Sequence, residues 1–308
     1  MATDFDSPWK EAIDVYLEQC FELLFPAAHS DIDWTNRPVA LDKELQQIAH
    51  DAKLGRRYVD KLYEVRLKRG GIRRVLLHLE LQVWREAEFE ERMFVYNYRA
   101  FDQKRVPVAS FAILADNDPN WRPTQFGWTV LGCSHTMVYV PAKLLDWAPR
   151  WNELESHPNP FGKVVLAHLK TLETSDDPAA RQQWKVRLVR ALYEQGLTAE
   201  DVRKLFRFID WLMDLPPGLD RLFWQEFQEI QETQHMPYIS TPQRIGRTEG
   251  MSEAIEILLQ EKFGEESKLL FPEIEQIYDA DQLRSILRAI PTAKTLEELR
   301  KLWAPQSP

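Results

Sequence analysis

The chain has 308 residues, of which 44% are hydrophobic and 28% charged, and carries a net charge of −9. That balance excludes a disordered or fibrous protein and leaves room for one large domain or a core with an appendage. No run approaches the roughly 18 apolar residues of a membrane span, and the acidic start MATDFDSPWKEAID lacks an apolar signal core, so a cytoplasmic protein without membrane contact is expected.

From Pro8 to Phe25, apolar residues at Ile13, Leu17, Cys20, Phe21, Leu24 and Phe25 follow one helix face, with Ser7 and Pro8 as its start. A turn over Pro26–Pro38 leads to a short helix within LDKELQQIA. Tyr58–Leu67 and Ile72–Val83 predict two strands joined by a hairpin turn at Lys68–Gly71. The second strand is apolar on both faces in its middle, which places it centrally in a sheet. Arg85–Lys104 predicts a helix with Phe89, Met93, Tyr96 and, on an adjoining stripe, Phe94 and Phe101 facing inward. Val106–Leu114 follows as a buried strand, a candidate for parallel pairing because a helix separates it from its predecessor.

Turn formers over Ala115–Pro123 precede strand-like pieces at Gly127–Cys133 and Thr136–Val140. Beyond about Lys143 the strand signals vanish. Helical periodicity runs over Lys163–Leu172, Ala179–Tyr193, Ala199–Met213 and Arg221–Gln234. A polar stretch with Pro237, Pro242, Gly246 and Gly250 reads as a linker, and Met251–Trp303 resumes with short helices broken by Gly264, Pro272 and Pro291. The expected organisation is an α/β core over 1–150, a helical extension packed on it over 151–240, and a small helical module over 251–305.

Two cysteines, Cys20 and Cys133, are too few for a disulfide framework or a four-thiolate zinc site and read as core or half-buried thiols. The overall charge argues mildly against a surface that coats nucleic acid. Residues 52–105 reverse it, with fourteen Lys and Arg against eight Asp and Glu, a local +6 that leaves −15 elsewhere. Within that stretch Arg66, Lys68, Arg69, Arg73 and Arg74 cluster on the hairpin, as phosphate contacts or as a solvated charged face.

Residues two apart on a strand share a face, so Glu80 and Gln82 project together, and the hairpin turn places Asp60 opposite a position near Glu80. Two carboxylates on adjacent strands suit magnesium, which takes one or two protein carboxylates and keeps several waters. Burying Glu80 within LLHLELQV costs roughly several kcal/mol without compensation. A metal would compensate it, and so would a charge partner among Arg73, Arg74 and His78. His78 lies on the same face, either positioning a water or phosphate or hydrogen-bonded in the core. Trp121, Trp128, Trp147 and Trp151 read as packing residues, since no basic cluster interleaves them.

Asp60, then a hairpin, then Glu80-Leu81-Gln82, followed by a helix with Arg92, Tyr96 and Tyr98, resembles the Rpn-type branch of the PD-(D/E)XK superfamily, the recombination-promoting nucleases and transposase-like proteins. The resemblance runs from the N-terminal helix to about Gly250 and includes the phrases LDKELQQI, VDKLYEV and HLELQ. It implies a mixed sheet flanked by helices and magnesium- or manganese-dependent hydrolysis of DNA linked to recombination or mobile elements. Asp60 and Glu80 match the metal-binding acids, and Gln82 stands where the superfamily usually has lysine. Glu44, in the helix before the first strand, looks like the additional acid used by some members.

Beyond Gly250, EAIEILLQEKFG through TLEELRKLW resembles a small helical module often attached to such proteins. Its amphipathic helices suit self-packing or a contact in a homo-oligomer. Two function classes follow. One is a magnesium-dependent DNA endonuclease with Asp60, Glu80 and Gln82 as catalytic residues; the other is a degenerate nuclease fold acting as a DNA-binding or protein-interaction module.

Overall fold

Within the two strands expected around the hairpin turn, Val59–Arg66 and Arg74–Gln82 form the first two long strands of a five-stranded mixed sheet in the computed structural model. The structure describes residues 6–41, 59–70, 73–233, 242–274, 277, 280–291, 293 and 295–303. The strands are β1 (Val39–Ala40), β2 (Val59–Arg66), β3 (Arg74–Gln82), β4 (Val108–Leu114), β5 (Gln125–Val130), β6 (Cys133–Val138) and β7 (Val140–Lys143). The sheet order is β1-β2-β3-β4-β7, and β5 and β6 form a separate two-stranded hairpin. β1 and β2 pair antiparallel, as do β2 and β3, whereas β3–β4 and β4–β7 are parallel. β3 is central, as its apolar middle predicted, and every residue from Val75 to Gln82 is buried.

The two faces of the sheet are covered by different helices. α1 (Asp6–Val15), α2 (Leu17–Leu24) and α3 (Pro26–Asp31) precede the sheet, and α4 (Phe89–Lys104) is the crossover between β3 and β4. On one face Lys61 Nζ and the Tyr63 hydroxyl both donate to Asp14 of α1, at 2.5 and 2.6 Å, while Phe21 and Phe25 pack edge-on against Phe111. On the other, Tyr96 and Ala100 of α4 pack against Leu62 and Leu76, and Phe89 and Met93 against Ala112 and Leu114. The inward stripe of α4 is narrower than expected. Phe94 is half-buried and Phe101 is 41% exposed, because both lie beyond the strip that meets the sheet.

The single helix expected over Pro8–Phe25 is interrupted at Tyr16, whose hydroxyl donates to Asp201 at 3.0 Å. Pro26 then opens α3 rather than a turn, since proline suits a first helical position. The expected helix in LDKELQQIA, with Glu44, lies outside the described residues. The two strand pieces anticipated at Gly127–Cys133 and Thr136–Val140 are β5 and β6, with the reversal earlier, at Leu131 and Gly132. Cys133 is accordingly exposed beside the turn, while Cys20 is buried.

The later helices are α5 (Trp151–Ser156), α6 (Phe161–Glu173), α7 (Pro178–Glu194), α8 (Ala199–Leu212) and α9 (Pro217–Thr233). Caps at Asp177 and Thr198 accept backbone N–H groups of Ala180 and Asp201. The helices attach to the N-terminal ones: Trp9, fully buried, meets Phe161, His168 and Phe208 edge-on. Sheet and helices through His235 form one compact unit, and Met236–Pro308 forms a second.

The second unit contains α10 (Pro242–Phe263), a 3-10 turn over Gly264–Leu270, α11 (Phe271–Ile274), α12 (Ala280–Ala289) and α13 (Leu296–Arg300). Ile255, Leu259, Ile274, Leu283, Ile286 and Leu299 belong to its core. Part of the expected linker is helical, because Pro242 begins α10 and Gly246 and Gly250 lie within it. A helix of that length absorbs the roughly 1 kcal/mol that each interior glycine costs. Among the described residues no helix is long and apolar enough to cross a membrane.

Candidate active site

Glu80 and Gln82 sit at the C-terminal end of β3 on the face covered by α4, and both are fully buried. Their charge and polarity are answered by Arg92, which α4 lowers onto them and which is itself only 3% exposed. Arg92 Nε donates to Glu80 Oε1 at 2.7 Å, and Nη2 approaches the same oxygen at 2.6 Å. Nη2 also donates to Gln82 Oε1 at 2.7 Å, and Nη1 to Glu86 Oε2 at 2.8 Å. The planar fork of a guanidinium suits this triple engagement, which an ammonium could not reproduce. Gln82 is oriented for it, since its Nε2 donates to the Trp84 carbonyl at 2.6 Å and turns Oε1 toward Arg92.

Two residues back on the same face, His78 places Nδ1 3.0 Å from Ser110 Oγ and Nε2 4.0 Å from Glu80 Oε2. Asn97 Nδ2 donates to the same Ser110 hydroxyl at 3.0 Å and to the Val108 carbonyl at 3.1 Å. Burial first, then the nearby Arg92 charge, pushes the imidazole down to about 3, so His78 is neutral at ordinary pH. It belongs to the buried polar string and does not add a positive charge to Glu80.

The register pairs Asp60 of β2 directly with Glu80, and Glu80 with Ala112 of β4. Directly opposed residues have Cβ atoms about 4.5–5.5 Å apart. Among the described residues there is no group of three or more His, Cys, Asp and Glu arranged to hold a metal ion. The side chain of Asp60 and all of Glu44 lie outside the described part.

A second buried ion pair, not anticipated from the sequence, stands at the same end of the sheet. Lys143, the last residue of β7, donates from Nζ to both oxygens of Asp116 at 2.6 Å, with both side chains almost wholly buried. Asp116 follows β4 by two residues, and the Ala115 N–H between them donates to the Gln82 carbonyl at 2.8 Å. The carboxyl ends of the three parallel strands thus carry Gln82, Asp116 and Lys143, at the edge where open α/β sheets place their ligand sites. A polar residue at, or within two residues past, the end of each of three largely apolar strands was the signal available in the sequence.

The basic cluster is at the opposite end. Arg66 pairs with Arg74 in the β2–β3 register, six residues from Asp60 and Glu80, or about 20 Å along the strands. Arg74 is bound to Glu64 at 2.9 and 2.6 Å, Lys68 reaches the Ser30 carbonyl at 3.0 Å and Arg73 the Lys68 carbonyl at 3.4 Å. Arg69 is exposed on the turn. The charge partners considered for Glu80 on the strand, Arg73 and Arg74, are therefore engaged elsewhere, and Arg92 takes that role. No model of a known protein family, no curated protein and no solved structure matches the chain.

Proposed function

We propose that the chain is a magnesium- or manganese-dependent DNA endonuclease on a PD-(D/E)XK-like core, hydrolysing phosphodiester bonds at Asp60 and Glu80 during recombination or mobile-element transfer. The observation that carries this reading is the register. Asp60 at the start of β2 stands opposite Glu80, next to a crossover helix and a parallel strand. Two carboxylates and the amide oxygen of Gln82 are hard-oxygen donors of the kind that magnesium accepts. The donor types fit, with one condition: Arg92 already holds Glu80, so an ion and the guanidinium compete for it.

A bound ion supplies polarisation of the phosphoryl oxygen and a more acidic attacking water. The chain itself supplies the positive charge that Gln82 cannot. Arg92 is held beside Gln82 Oε1 by a hydrogen bond and by Glu86, and a guanidinium stabilises charge developing on phosphoryl oxygens. The basic hairpin end, with Arg66, Arg73 and Arg74 lining a shallow open groove beside Asp33 and Asn36, offers phosphate contacts about 20 Å from the acids.

The same Arg92–Glu80 pair favours a second reading, a catalytically silent fold that binds DNA or another protein, since a buried carboxylate already paired with a guanidinium through Oε1 needs no ion to offset its charge. Plasmid nicking across magnesium and manganese concentrations separates the two. The first expects cutting that is lost in Asp60→Ala and in Glu80→Gln. No cutting at any divalent concentration, with salt-sensitive DNA binding that survives both Asp60→Ala and chelation, rejects it in favour of the second.

A further inference from the structure

The β5–β6 hairpin stands apart from the main sheet, and among the described residues neither of its outer edges carries a third strand. From Pro123 to Ala142 the sequence contains no Asp, Glu, Lys or Arg, although 28% of the chain is charged. The uncharged stretch is also apolar and open to water: Trp128 is 46% exposed, Val130 55%, Val138 69% and Leu131 99%. Exposed sheet edges ordinarily carry charges, proline or a covering element against pairing with another chain. The two strands of this hairpin have neither charge nor proline.

The turn points the same way. Leu131 and Gly132 have φ of 50° and 81°, the pair of left-handed residues that a tight two-residue hairpin requires, and its first place is ordinarily Asn, Asp or Gly. A leucine there is conformationally unfavourable and fully hydrated, so an isolated chain gains nothing from it. The backbone edge is also defined. The Tyr139 N–H to Thr124 carbonyl bond of 3.0 Å continues the ladder, and the alternation of an antiparallel pair turns the N–H and C=O groups of Ser134, Thr136 and Val138 away from β5.

We propose that this edge and the Leu131 tip are a self-association surface, on which the hairpin of a second copy pairs with β6 about a twofold axis to give a four-stranded antiparallel sheet. An antiparallel edge is complementary to itself under such an axis. The charge pattern selects a second copy. A surface without cations has nothing to hold a polyanion, and two chains each carrying −9 repel least where neither presents a charge.

The test is sedimentation equilibrium of the full chain from low to high micromolar concentration, with three variants. Thr136→Pro removes an outward donor and leaves the hairpin ladder intact. Val138→Lys sets like charges against each other across the axis. Leu131→Asn suits the left-handed backbone of the turn. The parent is expected to dimerise reversibly, and each variant to weaken the dimer at least tenfold while keeping the parent circular dichroism. A parent that is monomeric throughout, one that binds neutral lipid vesicles as a monomer, or a dimer unchanged in the folded variants overturns the proposal.

Discussion

Replacing Arg92 by methionine keeps most of the side-chain volume and removes the guanidinium that holds Glu80 Oε1. Breaking a buried pair from one side costs about 3–5 kcal/mol. For a unit of this size each kcal/mol lowers the melting temperature by roughly 2–4 °C, so Arg92→Met should melt about 6–20 °C below the parent by circular dichroism. Adding Glu80→Gln removes the carboxylate charge, and the double variant should recover part of that loss, a coupling that a double-mutant cycle reads directly. A divalent ion provides a further arm. If Glu80 can accept one once Arg92 is gone, magnesium at a hundred times its Kd returns about 2.7 kcal/mol to Arg92→Met and nothing to the double variant. A loss under about 1 kcal/mol in the single variant, or a double variant as unstable as the sum of its singles, refutes the role given to the pair.

His78 and His168 are both fully buried, pushed down to about 3 and about 4 mainly by burial. Their folded values lie below the unfolded value near 6.5, so the unfolded state takes up protons first and stability falls as pH drops below about 6.5, by up to about 1.4 kcal/mol per pH unit for each. Urea titrations between pH 7 and pH 4 (about the range of the two shifts) should show this, and a flat profile would contradict it. Gly127→Ala should destabilise the hairpin, because a Cβ there would lie 2.4 Å from the His135 carbonyl oxygen; an unchanged Trp128 fluorescence and melting temperature would count against it. Leu283→Ala in the core of the second unit should cost about 2–5 kcal/mol. Hydrogen exchange should place that loss in 242–303 and leave β3 protected; loosening of β3 as well would contradict a core confined to that unit.

Strand periodicity made one edge of the site readable in advance. Glu80 and Gln82 share a face because the period is two, and the position of the turn was enough to bring Asp60 opposite Glu80. Arg92 was legible as a residue of the resembling motif but not in its role, because period two says nothing about how deep a crossover helix settles on the sheet. Arg73, Arg74 and His78 were the partners that the sequence offered for Glu80; strand geometry puts Arg74 about 20 Å along β3 from Glu80, and His78 is neutral at ordinary pH. The hairpin reversal was misjudged for a related reason, since Leu131 carries none of the turn chemistry that its backbone conformation calls for.

The contacts that bind Glu80 to Arg92 span only twelve residues of chain, and those from Arg92 to Glu86 six. The Tyr16–Asp201 bond that ties the outer helices to the N-terminus spans 185. Loop-closure entropy grows with that separation, so the charged knot beneath α4 closes at a smaller chain-entropy cost than the bond between the outer helices and the N-terminus. The residue that neutralises a carboxylate thereby also joins β3 to its crossover helix across a short loop.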